Sequence, residues 1–172
     1  LRFVIMRTTS LCIAQGRTTG RTIDLPPILL HDPFTGAPNH DNVVTQAVLL
    51  KRSVHVPDAY DDNSYDFTGT RSFDRRNNYR STSLFTVPLI NSEERVIGVL
   101  QLINAQDEET GEVGPFTEEN RSIVEALASQ AAVTLDNQML LQSQRDLLES
   151  FIRMLASAID AKSPYTGAHC ER

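Results

Sequence analysis

The chain from Glu118 to Ala161 contains neither proline nor glycine, and alanine, leucine, glutamine and glutamate dominate it. These residues are among the best helix formers. Thr117 precedes the run and is a suitable helix N-cap, while Ser163 to Gly167 bring the residue types that end helices. The run therefore predicts one helix of about 60 Å, or two collinear helices, at the rise of an α-helix.

One face of this helix follows the spacing of a coiled coil. Its positions alternate steps of four and three residues, which is the repeat that keeps one seam facing a partner helix. The seam has polar residues in its middle and comprises Leu127, Ala131, Thr134, Gln138, Leu141, Arg145, Leu148, Ile152, Leu155 and Ile159. We expect this exit helix to pair in parallel with its copy in a second chain, which makes the protein a homodimer.

Two β-strands precede the helix. Ser83 to Ile90 and Val96 to Asn104 are rich in β-formers, and a short polar turn separates them, so the pair is predicted to be an antiparallel hairpin. Upstream, Leu1–Met6 and Leu11–Ala14 are rich in β-formers and are predicted to be two short strands or one long irregular strand. A short strand within Ser53–Pro57 is also predicted, as is a helix that is capped by Asp41 and runs to about Lys51. A charged loop is predicted for Asp107 to Gly114.

Two long polar segments, Gln15 to Asp41 and Asp58 to Arg80, are predicted to be loops. Loops of this length in a compact domain are often binding loops or lids. The second segment carries aromatic side chains suited to stacking on a flat ligand and guanidinium groups suited to an anion. They are Tyr60, Tyr65, Phe67, Phe73 and Tyr79, with Arg71, Arg75, Arg76 and Arg80. The alternative, that the aromatic rings only fold the loop onto a sheet and the arginines are solvated, stays open.

Composition excludes several functions. The 172 residues carry a formal net charge of −6 and no basic stripe, which argues against a nucleic-acid partner or an anionic membrane surface. Cys12 and Cys170 have neither disulfide nor metal-ligand spacing, so a cytoplasmic location is expected. No run is long and apolar enough to cross a bilayer, and no nucleophile, zinc-protease or phosphate-loop motif occurs. The missing initiator methionine leads us to expect a piece of a longer protein.

The hairpin Leu84 to Asn104, followed by Pro115 to Asn120 and the start of the long helix, resembles the GAF domain family. This resemblance covers residues 1–141. It implies an α/β (α+β) fold with a central antiparallel sheet, helices packed on one side and binding loops on the other, and a long C-terminal exit helix. The family normally has a further helix and strand before the position of Leu1. The ligand-binding residues expected from the resemblance are Tyr60, Phe67, Arg71, Phe73, Arg80 and Asn104.

Cyclic-nucleotide-binding members of that family carry an Asn-Lys, Phe, Asp-Glu signature. Here Asn104 and Phe116 match, but Ala105 stands in the place of the lysine. Asn120 and Arg121 replace the acidic pair, so the ion pair that the signature supports is lost and cyclic-nucleotide binding is not expected.

The last residues, from Ala158 to Arg172, resemble the entry to an HD-GYP domain, a metal-dependent phosphohydrolase that commonly cleaves cyclic di-GMP. The resemblance implies that His169 is the first metal ligand of a domain that binds Fe or Mn, and that residues 142–172 are a linker helix and the start of that domain. This chain itself is expected to bind no cofactor and to catalyse nothing. We expect a domain that senses an unknown small molecule, dimerises and controls the phosphohydrolase; the alternative is a ligand-free structural dimerisation module.

Overall fold

A computed structural model of the chain describes residues 1–8, 10–16 and 19–162, with side chains up to residue 159. The predicted helix end at Ser163 to Gly167 and the metal ligand His169 lie outside these residues. In chain order the described elements are β1 (Ile5–Thr8), β2 (Ile13–Gly16), α1 (Val43–Leu50), β3 (Val54–Val56), α2 (Thr68–Asn77), β4 (Leu84–Ile90), β5 (Val96–Ile103), β6 (Ala105–Gln106), β7 (Val113–Gly114) and α3 (Glu118–Lys162). The mixed α/β composition with an antiparallel sheet and a long C-terminal helix confirms the predicted fold class.

The chain divides into two compact units, residues 1–132 and residues 133–172. The first unit is built on an antiparallel sheet with the strand order β3-β4-β5. Strand β4 pairs with β5 from Leu84 opposite Ile103 onward, and with β3 from Leu84 opposite Val56. The predicted hairpin is therefore confirmed. Asn91 closes its turn, because its Oδ1 accepts hydrogen bonds from the backbone N–H groups of Glu93 and Arg95.

Strand β4 is buried on both faces, as its almost unbroken apolar sequence indicates. Because side chains alternate along a strand, Leu84 faces one side, where it packs with Val43 of α1, Val56, Ala59 and Phe67. The other face carries a second core cluster, which consists of Phe85, Val87, Leu89, Phe116, Ala128 and Ala132. The expectation that helices lie on one side of the sheet only is therefore wrong, since α1 and the start of α3 belong to different clusters.

Two boundaries differ from the predictions for local reasons. Helix α1 begins at Val43 and is capped by Asn42, whose side chain accepts a hydrogen bond from Val44 N at 2.8 Å, so the prediction of Asp41 as the cap is wrong by one residue. Residues 107–114, predicted as a loop, contribute β7 to a two-residue ladder with β6. Its turn is held by Asp107, whose carboxylate accepts backbone hydrogen bonds from Glu109 and Thr110.

The prediction that residues 58–80 form a loop is wrong, because helix α2 lies inside this segment. Glycine and β-branched residues lower its intrinsic helix propensity, which hides it from sequence patterns. A side-chain hydrogen bond stabilises the helix N-terminus instead, because Asp66 accepts from the backbone N–H of Thr68 at 2.8 Å. The helix also inserts the side chain of Asp74 into the interior.

The N-terminal strands form a separate two-stranded sheet in which Met6 pairs with Gln15 and Thr8 with Ile13. Gly16 ends β2 with a φ of +118°, and a Cβ atom there would lie 2.2 Å from the carbonyl oxygen of Val4. Only glycine fits this close approach. Between residues 19 and 42 the described backbone forms turns and isolated bridges, as predicted for the first long loop.

Helix α3 is a single helix from Glu118 to Lys162. Thr117 caps it as predicted, because its Oγ1 accepts a hydrogen bond from Asn120 N at 3.2 Å. In the first unit Ala128 and Ala132 are buried, whereas the large apolar side chains of residues 133–159 are exposed. Among the described residues no helix has the length and apolar character that crossing a membrane requires.

His55 lies in β3 opposite Phe85, and its ring stands edge-on to the rings of Phe85 and Phe116, each at a centroid distance of 6.2 Å. Its Nε2 atom is buried and has no hydrogen-bond partner in the described part of the chain. Burial lowers the pKa of His55 from its ordinary value of 6.5, the positive charge of Arg121 lowers it further, and Glu118 opposes both. The native protein therefore favours the neutral imidazole.

We expect His55 to make folding stability fall on acidification. Because its pKa is lower in the folded than in the unfolded chain, its contribution is complete above pH 6.5 and is lost as the pH falls from there to the folded-state pKa. Urea unfolding of the wild type and of His55→Phe between pH 7.5 and pH 5 measures this. The variant should lose less stability on acidification, while a His31→Gln control, whose imidazole is exposed, should follow the wild type. Parallel pH profiles for all three proteins would contradict the assignment.

Candidate functional site

The carboxylate of Asp74 is the most deeply buried charged group among the described residues, with 1% of the residue exposed. It accepts hydrogen bonds from the backbone N–H of Ser81, from Ser81 Oγ and from the hydroxyl of Tyr60, at 2.8, 2.8 and 2.9 Å. A buried carboxylate is tolerated only when its oxygens are satisfied in this way. These bonds tie α2 to the chain that enters β4 and to the segment after β3.

Two predicted arginines lie against Tyr60. The guanidinium carbon of Arg80 is 4.1 Å from the centroid of the Tyr60 ring, and that of Arg71 is 5.5 Å away. Arg71 also donates from Nη2 to the carbonyl oxygens of Ala59 and Tyr60, at 3.3 and 3.4 Å. The hydrogen bond to Asp74 raises the pKa of Tyr60, burial and the charge of Asp74 add to this, and the two arginines oppose it. The phenol therefore keeps its proton and donates a hydrogen bond to the carboxylate of Asp74.

Asn104 closes the same region from the end of β5, in the left-handed conformation with a φ of 61°. Its Nδ2 donates to Tyr79 Oη at 2.9 Å and to the carbonyl oxygen of Arg80 at 2.7 Å, and its Oδ1 accepts from Thr82 N at 2.7 Å. We call the hydrogen-bonded group of Tyr60, Asp74, Tyr79, Arg80, Ser81 and Asn104 the Asp74 network. Four of the six predicted ligand-binding residues, Tyr60, Arg71, Arg80 and Asn104, lie in or against it.

The other two predicted residues lie elsewhere. Phe67 is 4% exposed and packs in the core with Val43, Val56, Ala59 and Leu84. Phe73 is half-buried on α2, and its side chain lines an open cavity of about 240 Å³ between the N-terminal hairpin and the helix. We call this the hairpin–helix cavity.

The hairpin–helix cavity is formed by three parts of the first unit. Strands β1 and β2 contribute Met6, Ile13 and Gln15 from one face, the loop after β2 contributes Asp24 and Leu25, and α2 contributes Phe73, Arg76 and Asn77. The three α2 residues share one face because they are spaced three and four positions apart. Apolar groups therefore lie beside a carboxylate, a guanidinium and two amides.

Sequence patterns gave no signal for Asp24, Gln15 and Asn77, although Arg76 was among the arginines expected to meet an anion. Asn77 donates from Nδ2 to the carbonyl oxygen of Phe73 at 2.8 Å, which fixes the orientation of its amide. Asp24 and Arg76 make no hydrogen bond or ion pair with residues that the structure describes. Nor do the described residues contain a group of three histidine, cysteine, aspartate or glutamate side chains suited to a metal ion.

Comparisons with known proteins place these features in context. The family model of the GAF domain matches residues 6–135. The "Dual 3′,5′-cyclic-AMP and -GMP phosphodiesterase 11A" of Takifugu rubripes is 29% identical over 93 residues, which are 54% of this chain and 9% of that protein. A crystal structure of the GAF domain from the Acinetobacter phosphoenolpyruvate-protein phosphotransferase aligns with a TM-score of 0.41 and 16% identity, over 58% of this chain and 50% of that chain.

Replacement of Asp74 by asparagine should destabilise the first unit by about 2 kcal/mol or more, because the amide loses the charge-assisted bonds and brings an additional N–H donor into the buried site. Chemical denaturation followed by circular dichroism measures the free energy of unfolding. Asp32→Asn is the matched control, since Asp32 also accepts three hydrogen bonds but is exposed. Equal losses in the two variants would refute a special role for the buried carboxylate.

Proposed function

Since the chain belongs to the GAF domain family, a family of regulatory small-molecule-sensing domains, we propose that it binds a small ligand in the hairpin–helix cavity. We further propose that it dimerises through α3 and passes its ligand state along that helix to a C-terminal phosphohydrolase. The match spans about one tenth of the length of the phosphodiesterase named above, so the activity of a whole protein is part of this proposal.

One observation supports ligand binding above the others: the cavity beside Phe73 is open, with about 240 Å³ of space, and charged, amide and apolar side chains line it together. An aromatic side chain that only folded α2 onto the hairpin would fill that space. Ligand sites commonly combine apolar walls with a few charged or amide groups, as this cavity does.

The rival function is a structural module without a ligand, and a different observation favours it. Tyr60, Arg80 and Asn104, expected to touch a ligand, are engaged by one another and by Asp74. A module of this kind would hold the sheet and α2 together and serve only to dimerise.

Cyclic nucleotides are not the proposed ligand. Asn104 matches the family signature, but its side chain is occupied by Tyr79, Arg80 and Thr82. At the place of an acidic residue stands Arg121, which forms an ion pair with Glu118 on the same helix. The carboxylate–lysine pair of the signature therefore has no counterpart here.

Native mass spectrometry of the purified chain tests the ligand proposal. The wild type should carry or take up a small molecule from cell extract. Leu25→Trp, which fills the cavity, should abolish this, whereas Leu29→Trp, a change at an exposed leucine of the same loop, should not. Calorimetry with cyclic AMP and cyclic GMP should give no submicromolar binding. A wild type without ligand under all these conditions would favour the structural module.

The exit helix is proposed to form a parallel homodimer. The large apolar seam side chains beyond residue 132 are exposed in the described part of the chain, Leu148 by 59% and Leu155 by 48%. An apolar stripe of this kind is unfavourable in water. The steps of four and three residues match a coiled-coil partner, and a second copy supplies the same seam.

Sedimentation equilibrium should show a dimer at tens of micromolar for the wild type. The double variant Leu148→Asp, Leu155→Asp should be a monomer, because it places two charges in the seam of each helix. Ser150→Asp, Ser157→Asp introduces the same charges away from the seam and should leave the dimer intact. A monomeric wild type, or a dimer that survives the leucine changes, would rule out this seam.

The phosphohydrolase proposal rests on the resemblance of residues 158–172 to an HD-GYP domain, with His169 as a ligand for Fe or Mn. One histidine cannot hold a catalytic metal, because such a site takes three or more protein ligands. This chain alone is therefore not expected to be an enzyme. Hydrolysis of cyclic di-GMP by a longer chain, lost on His169→Ala, is the deciding measurement; an active chain that does not need His169 would refute the assignment.

A further inference from the structure

Two opposite charges line the hairpin–helix cavity. The carboxylate of Asp24 comes from the loop after β2, and the guanidinium of Arg76 comes from the last turn of α2. Both residues are exposed, and neither has a hydrogen-bond or ion-pair partner within the ranges that the structure describes. By contrast, the carboxylate of Asp74 on the same helix is fully satisfied by Tyr60 and Ser81.

This pair of charges restricts the ligand. A simple anion would compensate Arg76 but would be repelled by Asp24, and a simple cation would have the reverse problem. A molecule that carries one positive and one negative group compensates both. Guanidinium groups favour planar carboxylates, to which they donate two parallel hydrogen bonds, and a carboxylate accepts well from an ammonium group.

The rest of the lining restricts the ligand further. Met6, Ile13, Leu25 and Phe73 give the cavity an apolar wall. Its volume of about 240 Å³ lies below the range of about 300 to 1,000 Å³ typical of drug-sized ligands. The space therefore suits a compact molecule with one apolar group.

We propose that the cavity binds a free α-amino acid with an apolar side chain. Its carboxylate pairs with Arg76, its ammonium group pairs with Asp24, and its side chain lies against Met6, Ile13, Leu25 and Phe73. Gln15 and Asn77 supply amide groups for the remaining hydrogen bonds. This inference rests on the proposed function, because it names the ligand class of the same cavity.

Calorimetry with leucine, methionine and phenylalanine tests the ligand class, against two leucine analogues that each lack one charge. 4-Methylpentanoate lacks the ammonium group, and 3-methylbutylamine lacks the carboxylate. At least one of the three amino acids should bind, and leucine should bind roughly tenfold or more tightly than either analogue, because each analogue lacks one of the two charge pairs.

Single substitutions test the contacts of Asp24 and Arg76 with the ligand separately. Asp24→Asn should weaken amino-acid binding roughly tenfold or more and should not weaken binding of 4-methylpentanoate, which makes no contact that needs the charge. Arg76→Gln should weaken both. Arg75→Gln is the matched control, since Arg75 is the neighbouring arginine on α2, is exposed like Arg76, and does not line the cavity.

Each contrary outcome has a defined meaning. Equal affinity for leucine and 4-methylpentanoate overturns the amino-acid proposal, as does preferred binding of guanine, whose edge also pairs with a carboxylate and a guanidinium. A molecule from cell extract that binds in the cavity while every amino acid fails overturns this inference but leaves the proposed function intact. Absence of any ligand, with no difference between the wild type and Leu25→Trp, overturns both.

Discussion

The need to satisfy one buried carboxylate organises the first unit. Asp74 lies inside the protein on a helix of weak propensity, and its two oxygens are filled by Ser81 and Tyr60. Ser81 leads directly into β4, so α2 cannot shift without leaving a buried charge unpaired. This attachment also determines which face of α2 is turned to the N-terminal hairpin. The face carrying Phe73, Arg76 and Asn77 lines the cavity. Asp24, in a loop distant in sequence, contributes the charge opposite to that of Arg76.

Strand β4 packs against α1 on one face and against the start of α3 on the other. Leu84 packs on the side of Phe67 and α1, while the next residue, Phe85, packs against Phe116 at a centroid distance of 5.7 Å on the side of α3. A continuous set of contacts therefore runs from α2 through Ser81 and β4 to the buried alanines of α3. Coupling between distant sites can be carried by packed groups of this kind.

Predictions from the sequence succeeded where neighbouring residues decide the structure. The hairpin β4–β5 has alternating β-formers around a polar turn, and α3 has good helix formers, no breaker and a threonine cap. They failed for α2, because its helix depends on Asp66 at its start and on Asp74 in the interior rather than on propensity. The helix placement around the sheet was also wrong, since hydrophobicity on both faces of β4 does not say which helix covers which face.

The candidate functional site, like the fold, was predicted only in part from the sequence. The sequence by itself determined that aromatic and arginine side chains would gather in residues 58–80 and that the long helix would carry an apolar seam, because both are properties of local composition and spacing. Only the tertiary structure decided that Tyr60, Arg80 and Asn104 join a network around Asp74, while Phe73 and Arg76 line a cavity with Asp24. The physical reason is that a hydrogen bond or a charge pair is set by distance in space. Asp24 and Arg76 come to line one cavity, and Asn104 reaches residues 79–82, only after the sheet and α2 have packed.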